Sequence, residues 1–140
     1  MVTHRYNNKG ITLLELLAVI LIVGILAAVA IPTYSGYMVR ARRSDAKVAL
    51  EQVRAAQEMW RAERGSYAID GGGNTAETRL QTTMGAPAPT ISPYYTWNFA
   101  AGHDATTFTA QAIPTGSQVG DGTLTIDQNG TKLPVDKWAK

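Results

Sequence analysis

Between Lys9 and Pro32 the chain reads K-G-I-T-L-L-E-L-L-A-V-I-L-I-V-G-I-L-A-A-V-A-I-P, and from Leu16 to Ile31 every side chain is apolar or absent. With Ile11 to Leu14 the run reaches the roughly 20 residues that a helix needs to cross a bilayer. A helix that is apolar all round has to be surrounded on all sides by lipid or by other helices. The run therefore predicts a segment that inserts in a membrane. Glu15 is its one charged residue. A carboxylate inside such a boundary costs on the order of 2 to 3 kcal/mol even on forgiving insertion scales, so Glu15 calls for a partner.

The order Lys9-Gly10, Ile11, Thr12-Leu13-Leu14, Glu15, an apolar helix containing Gly24, then Ala30-Ile31-Pro32-Thr33-Tyr34 resembles the N-terminus of type IV pilins and their pseudopilin relatives. The resemblance covers about the first quarter of the chain. It implies a leader, residues 1–10, cut after Gly10 by a membrane aspartyl peptidase that also methylates the new N-terminal Ile11. It further implies that the subunits polymerise into a helical filament through the segment 11–34. The family more often starts its mature chain with Phe or Met, and many members close their C-terminal region with a Cys pair, whereas this chain has Ile11 and no cysteine. Residues 58–67 and 122–127, with Trp138, look more like the PilE-type branch than like secretion pseudopilins.

The residues support a role for Glu15 independently. After a cut at Gly10 the chain would begin with an amine four residues before Glu15, and among parallel, staggered helices that amine on one subunit can meet the carboxylate of the next. A pair of that kind fixes axial register, the best-attested use of buried polar groups. Gly24 and Pro32 are poor residues for a helix interior, and Pro32 removes the bond that the Ala28 carbonyl would accept. They mark a weak point at which local unwinding would let the helix lengthen as a subunit leaves the bilayer.

Beyond Pro32 the pattern turns amphipathic, with Val39, Ala46, Ala49, Leu50, Val53, Ala56 and Trp60 recurring at three- and four-residue spacing. This predicts a helix that continues to about Arg64 and ends at Gly65; at 1.5 Å per residue, about 50 residues make a rod of about 80 Å. Residues 66–93 show no clear period, and Pro87, Pro89 and Pro93 predict irregular backbone there. Strands are predicted over 94–100, 106–113, 123–127 and 131–133, the last two joined by a hairpin at Asn129-Gly130. The expected fold class is α+β, a long N-terminal helix packed on a small C-terminal antiparallel sheet. The expected division is leader 1–10, membrane or filament-core helix 11–34, and globular head 35–140.

Charge narrows the function classes. The chain has 13 Lys and Arg against 11 Asp and Glu; Arg5 and Lys9 would leave with the leader, so eleven basic residues would face eleven acidic ones and give no global case for nucleic-acid binding. Nucleic acid stays open as a partner only through Arg40, Arg42, Arg43 and Lys47, a cluster that could meet phosphates or lipid headgroups but is read as facing solvent or acidic residues of adjacent subunits. By positive-inside counting that cluster would lie in the cytoplasm; the leader resemblance places Lys9 there instead. His103-Asp104 reads as a surface turn, and Asp127-Gln128-Asn129-Gly130 as a hairpin turn lacking the other ligands of a calcium loop. No catalytic residue, metal site or cofactor is expected. The chain reads as a non-enzymatic pilus subunit, an inner-membrane precursor and then an extracellular filament component. Its expected partners are its own copies, other pilins, the prepilin peptidase, the inner-membrane assembly machinery and membrane lipid. A type II secretion pseudopilin is the alternative, and a signal-anchored binding domain or enzyme the third reading.

Overall fold

A computed structural model describes residues 10–71 and 75–139. Residues 1–9, which are the leader apart from Gly10, and residues 72–74 and 140 lie outside the described residues. Tertiary contacts divide the chain after Tyr37 into two units.

The first unit is helical from Leu13 onward, the beginning of α1 (Leu13–Arg64). Thr12 starts it by accepting a hydrogen bond at Oγ1 from the Glu15 backbone N–H (3.2 Å), one of the two bonds of a Thr-x-x-Glu capping arrangement. α1 is helical through both Gly24 and Pro32. Around the proline, hydroxyls take up carbonyls: Thr33 Oγ1 donates to Val29 O and Ser35 Oγ to Pro32 O, both at 2.9 Å.

The second unit, Met38–Lys140, holds the core. The predicted stripe is buried at Ala46, Ala49, Leu50, Val53, Ala56 and Trp60, with Val39 half-buried. α1 ends as predicted: Gly65 takes φ +76° and its N–H bonds the Arg61 carbonyl, a left-handed termination that a side chain would strain. The irregular backbone predicted for 66–93 is corrected by α2 (Ala76–Met84) and a short β1 (Thr90–Ser92). Thr75 caps α2 by accepting from the Thr78 N–H, and Gly85 closes it at φ +68°. Then come β2 (Tyr95–Phe99), β3 (Thr109–Pro114), a 3-10 turn over Gly116–Asp121, β4 (Leu124–Asp127), β5 (Lys132–Leu133) and α3 (Val135–Ala139). The four strands predicted from sequence are all present, within three residues at each end.

The sheet is an antiparallel meander in the order β1-β2-β3-β4-β5. Its registers Trp97↔Ala112↔Leu124 and Phe99↔Ala110↔Ile126 place a small residue between two large ones in each row. Strand alternation sends these side chains to one face, where all six are buried with Leu50, Val53 and Trp60 of α1. The alanines keep the middle of the sheet low, so the bulk of Trp97, Leu124 and Ile126 fills the space without overpacking. Gln57, also on the stripe, is fully buried and acts as a clamp: its Oε1 accepts from the Ala68 N–H (2.8 Å) and its Nε2 donates to the Ala68 carbonyl (3.2 Å). An edge-to-face series continues the core through Trp97, Phe99, Phe108 and Tyr67.

Trp60→Ala is expected to destabilise the head by about 3 to 5 kcal/mol, the usual loss for a large core aromatic, whereas Val48→Ala on the exposed side of α1 should stay within about 0.5 kcal/mol. Urea unfolding of the two variants beside the parent checks this.

Candidate functional site

In the first unit the candidate residues share one helix. Gly10 and Ile11 are exposed ahead of α1, Ile11 at 75%. Glu15 lies in the first helical turn with its side chain exposed. Every large apolar residue from Leu13 to Ile31 is at least half exposed, between 51% and 78%. The helix is long and apolar enough to cross a membrane. A surface of that extent in water is far beyond what a soluble monomer leaves uncovered. Gly24 and Pro32 occupy the same stretch, and a side chain added at Gly24 would meet open space, so no close contact within the chain requires that glycine.

In the second unit the structure assembles a polar centre that the sequence reading did not anticipate. Arg43 lies on the buried stripe, one turn before Ala46, and is only 8% exposed. Its Nε donates to Asp121 Oδ2 at 2.8 Å and its Nη2 to Oδ1, a bidentate pair with a carboxylate that is itself buried. Tyr95 of β2 donates its hydroxyl to Asp121 Oδ2 (2.6 Å), and Lys137 of α3 donates to the Asp121 carbonyl and carboxylate. Gln118 bonds the Val39 carbonyl and the Tyr95 hydroxyl through Nε2. One carboxylate thus joins α1, the sheet, the 3-10 turn and the C-terminal helix.

The electrostatics follow from this geometry. Burial pushes the Asp121 carboxyl up, but the bonds from Arg43, Tyr95 and Lys137 outweigh it and hold the group well below the usual carboxylate range. The bond to Asp121 raises Arg43 despite its burial. Burial, with the Asp121 bond second, pushes the Tyr95 phenol up to about 12. Lys47 is lowered by burial and then by the nearby Arg43.

The solvated reading of the basic cluster is thereby corrected for three of its four members. Arg43 is paired within the chain, Lys47 donates to the Trp138 carbonyl (3.1 Å), and Arg42 donates to Ser117 with its guanidinium 3.6 Å over the Tyr94 ring. The physical reason is that the stripe carries buried acceptors on the facing elements, and an arginine on that stripe is stable only when bidentately paired. Position 43 does lie at the three- and four-residue spacing of 46, 50, 53, 57 and 60, which is the signal that marks both Arg43 and Gln57.

His103 and Asp104 form a turn: Asp104 Oδ1 accepts from the hydroxyl and N–H of Thr106 and the N–H of Thr107, which hold its carboxyl down to about 2, and His103 bonds the Ala100 carbonyl. Asp127 accepts from the N–H groups of Asn129 and Thr131 in the β4–β5 hairpin, with Gly130 at φ +80°. Both carboxylates are engaged in shaping turns.

Asp121→Asn is expected to cost about 3 to 5 kcal/mol, because it leaves Arg43 buried without its counter-charge. Because the folded-state pKa of Asp121 lies below its ordinary 3.8, the contribution of the pair is fully present above that value and declines as pH falls below it. Unfolding of parent and variant between pH 7 and pH 2 should show a shallower acid slope in the variant, the remainder carried in part by Asp104, which titrates in the same window.

Comparison with known proteins adds five matches. Residues 32–125 match the family described as "Type IV minor pilin ComP, DNA uptake sequence receptor", and residues 5–31 match the prokaryotic N-terminal methylation motif. The type IV major pilin protein PilA of Myxococcus xanthus is 41% identical over 69 residues, 48% of this chain and 31% of that protein. The type IV major pilin protein PilE1 of Neisseria gonorrhoeae is 53% identical over 49 residues, 35% of this chain and 30% of the other. The chain thus spans about three tenths of the length of these relatives. A solved type IV pilin from Shewanella oneidensis aligns over 69% of this chain and 92% of its own, with 27% identity and a TM-score of 0.49.

Proposed function

Since the chain belongs to the type IV pilin family, whose profile spans most of the head, we propose that it is a structural subunit of a type IV pilus filament. The carrying observation is that every large apolar residue from Leu13 to Ile31 is at least half exposed, in a stretch that falls within the match to the N-terminal methylation motif, residues 5–31. Such a surface is covered first by lipid and then by the same segment of other copies. In this reading the precursor is anchored in the inner membrane with its head outside the cytoplasm. The peptidase cuts between Gly10 and Ile11 and methylates Ile11, and the assembly machinery draws the subunit into a filament with other pilins. Glu15, exposed in the first turn, meets the N-terminal amine of a neighbour and sets the stagger. The stretch between Gly24 and Pro32 unwinds at lower cost than the rest of the apolar helix. No step requires catalysis by this chain.

Gly10→Val should leave the leader attached, read as a precursor-sized band and an uncut N-terminus. Glu15→Gln should be cleaved like the parent yet yield sharply less subunit in sheared filaments, with Glu15→Asp intermediate. Parent-level filaments from all Glu15 variants would remove the charge pair from the mechanism.

A second reading concerns what the filament binds. The matched profile, named for a DNA uptake receptor, covers the head rather than the shared N-terminal segment, which favours a minor subunit that captures DNA. Arg61 and Arg64 are exposed in the last turn of α1 and could contact phosphates. Purified filaments mixed with labelled duplex DNA should then co-sediment with it, with affinity falling as salt rises. Equal pelleting of DNA with and without filaments at low salt would reject this reading.

A further inference from the structure

Within the head, two turns pack beside the stretch of α1 that follows Met38. Gln118 of the 3-10 turn donates to the Val39 carbonyl at 3.0 Å, and Arg42 donates to Ser117 of the same turn at 3.3 Å. The Arg42 guanidinium also lies 3.6 Å over the ring of Tyr94, in the connection between β1 and β2. Thr115, just ahead of the 3-10 turn, ties that connection down by donating its N–H to the Tyr94 carbonyl and its hydroxyl to the Pro93 carbonyl, at 2.8 and 2.9 Å. The result is a braced ledge from which Val119 projects, 62% exposed. From Pro32 to Ser44 the chain carries Arg40, Arg42 and Arg43 and no acidic residue. Arg43 is neutralised by Asp121, but among the described residues Arg42 makes no ion pair. Its bonds to a hydroxyl and an aromatic ring fix its direction and leave its charge uncompensated.

We propose that this ledge, Val119 with Tyr94 and Arg42, rests on the anionic phospholipid surface of the bilayer that holds the apolar segment. An exposed aliphatic tip beside a tyrosine and an arginine is the mixture that settles at headgroup level, where an apolar body and a polar end are both accommodated. The chain itself keeps the ledge near that surface. Val39, to which the 3-10 turn is bonded, follows the last residue of the apolar run, Ile31, by only eight positions, about 12 Å of helix. One valine and one arginine bind a bilayer weakly when free in solution, but a short tether raises the effective concentration to the order of millimolar, and a weak contact is then well populated. Val119 enters the headgroup zone and Arg42 donates to lipid phosphates. The contact holds the head of the waiting precursor in one orientation, and the subunit gives it up on entering a filament.

This inference rests on the membrane-anchored reading, and the test separates the two. The chain has no cysteine, so Val119→Cys and, as a control, Ala62→Cys each give a single attachment point in the full chain. Ala62 is exposed on α1, about 34 Å of helix beyond Val39. Both are labelled with bimane and reconstituted sparsely in vesicles whose lipids carry a nitroxide quencher on the headgroup. In vesicles containing phosphatidylglycerol the label at 119 should be strongly quenched and the label at 62 hardly at all. Exchanging phosphatidylglycerol for phosphatidylcholine, which leaves the protein untouched, should remove most of that excess, as should about 1 M salt, where the screening length falls to about 3 Å. Arg42→Gln should weaken the contact about fivefold, the effect of one basic residue at an anionic surface. Equal quenching at 119 and 62, or quenching at 119 indifferent to lipid charge, in chains that resist alkaline extraction would overturn the proposal and leave the anchored reading in place. Chains released from the vesicles by alkaline carbonate would overturn both.

Discussion

The fold of the head depends on one buried carboxylate. Asp121 accepts from a guanidinium of the long helix, a phenol of the sheet and an ammonium of the C-terminal helix, and no two of these donors come from neighbouring parts of the sequence. Apolar packing of Leu50, Val53 and Trp60 on the sheet supplies the driving force, but it is non-directional and would tolerate sliding of the helix along the sheet. A bidentate Arg–carboxylate pair in a low-dielectric setting does not tolerate sliding, because a small displacement leaves two charges buried without each other. The chain has no cysteine, and this pair ties together segments 78 positions apart, the kind of long-range tie that a disulfide provides elsewhere.

α1 serves two surroundings with one backbone. Up to Ile31 its large apolar residues are exposed, and from Arg43 onward one stripe is buried while the remainder is mostly polar, with Val48 and Met59 as exposed exceptions. The change of pattern falls just past Pro32, where the residue that lacks an N–H is followed by two hydroxyls that bond backbone carbonyls. The basic residues after this point look from sequence like a charged membrane flank. Three of them are bound within the head, so counting them as free cytoplasm-directed charge overstates the positive-inside signal against the leader.

The elements with a strong period were legible in the sequence. The helix end at Gly65, the buried stripe and the strand alternation all follow from side chains that must leave water, and that requirement is local enough to read by spacing. α2 was not legible, because its nine residues carry only Ala76 and Leu80 as buried positions, too few to establish a period among prolines and threonines. Its caps, Thr75 and Gly85, were the available signal. Arg43 and Gln57 were missed for a different reason. Their spacing puts them on the stripe, but a polar residue there is stable only if a distant segment supplies a partner, and neither Asp121 nor the Ala68 backbone announces itself as one.

The 78-residue separation of Arg43 from Asp121 has a consequence for biogenesis. A chain delivered through a membrane from its N-terminal side exposes Arg43 long before Asp121 arrives, and the Lys137 that completes the centre follows 16 residues later still. Until then the stripe of α1 has its arginine but no counter-charge, and burying it is unfavourable. The helix is therefore kept from closing prematurely on β2 and β3 alone, and the head locks only when nearly the whole polypeptide has emerged. A head interrupted before Asp121 would leave Arg43 without its counter-charge, so the position of a single acid late in the sequence couples burial of the α1 stripe to the arrival of the C-terminal elements.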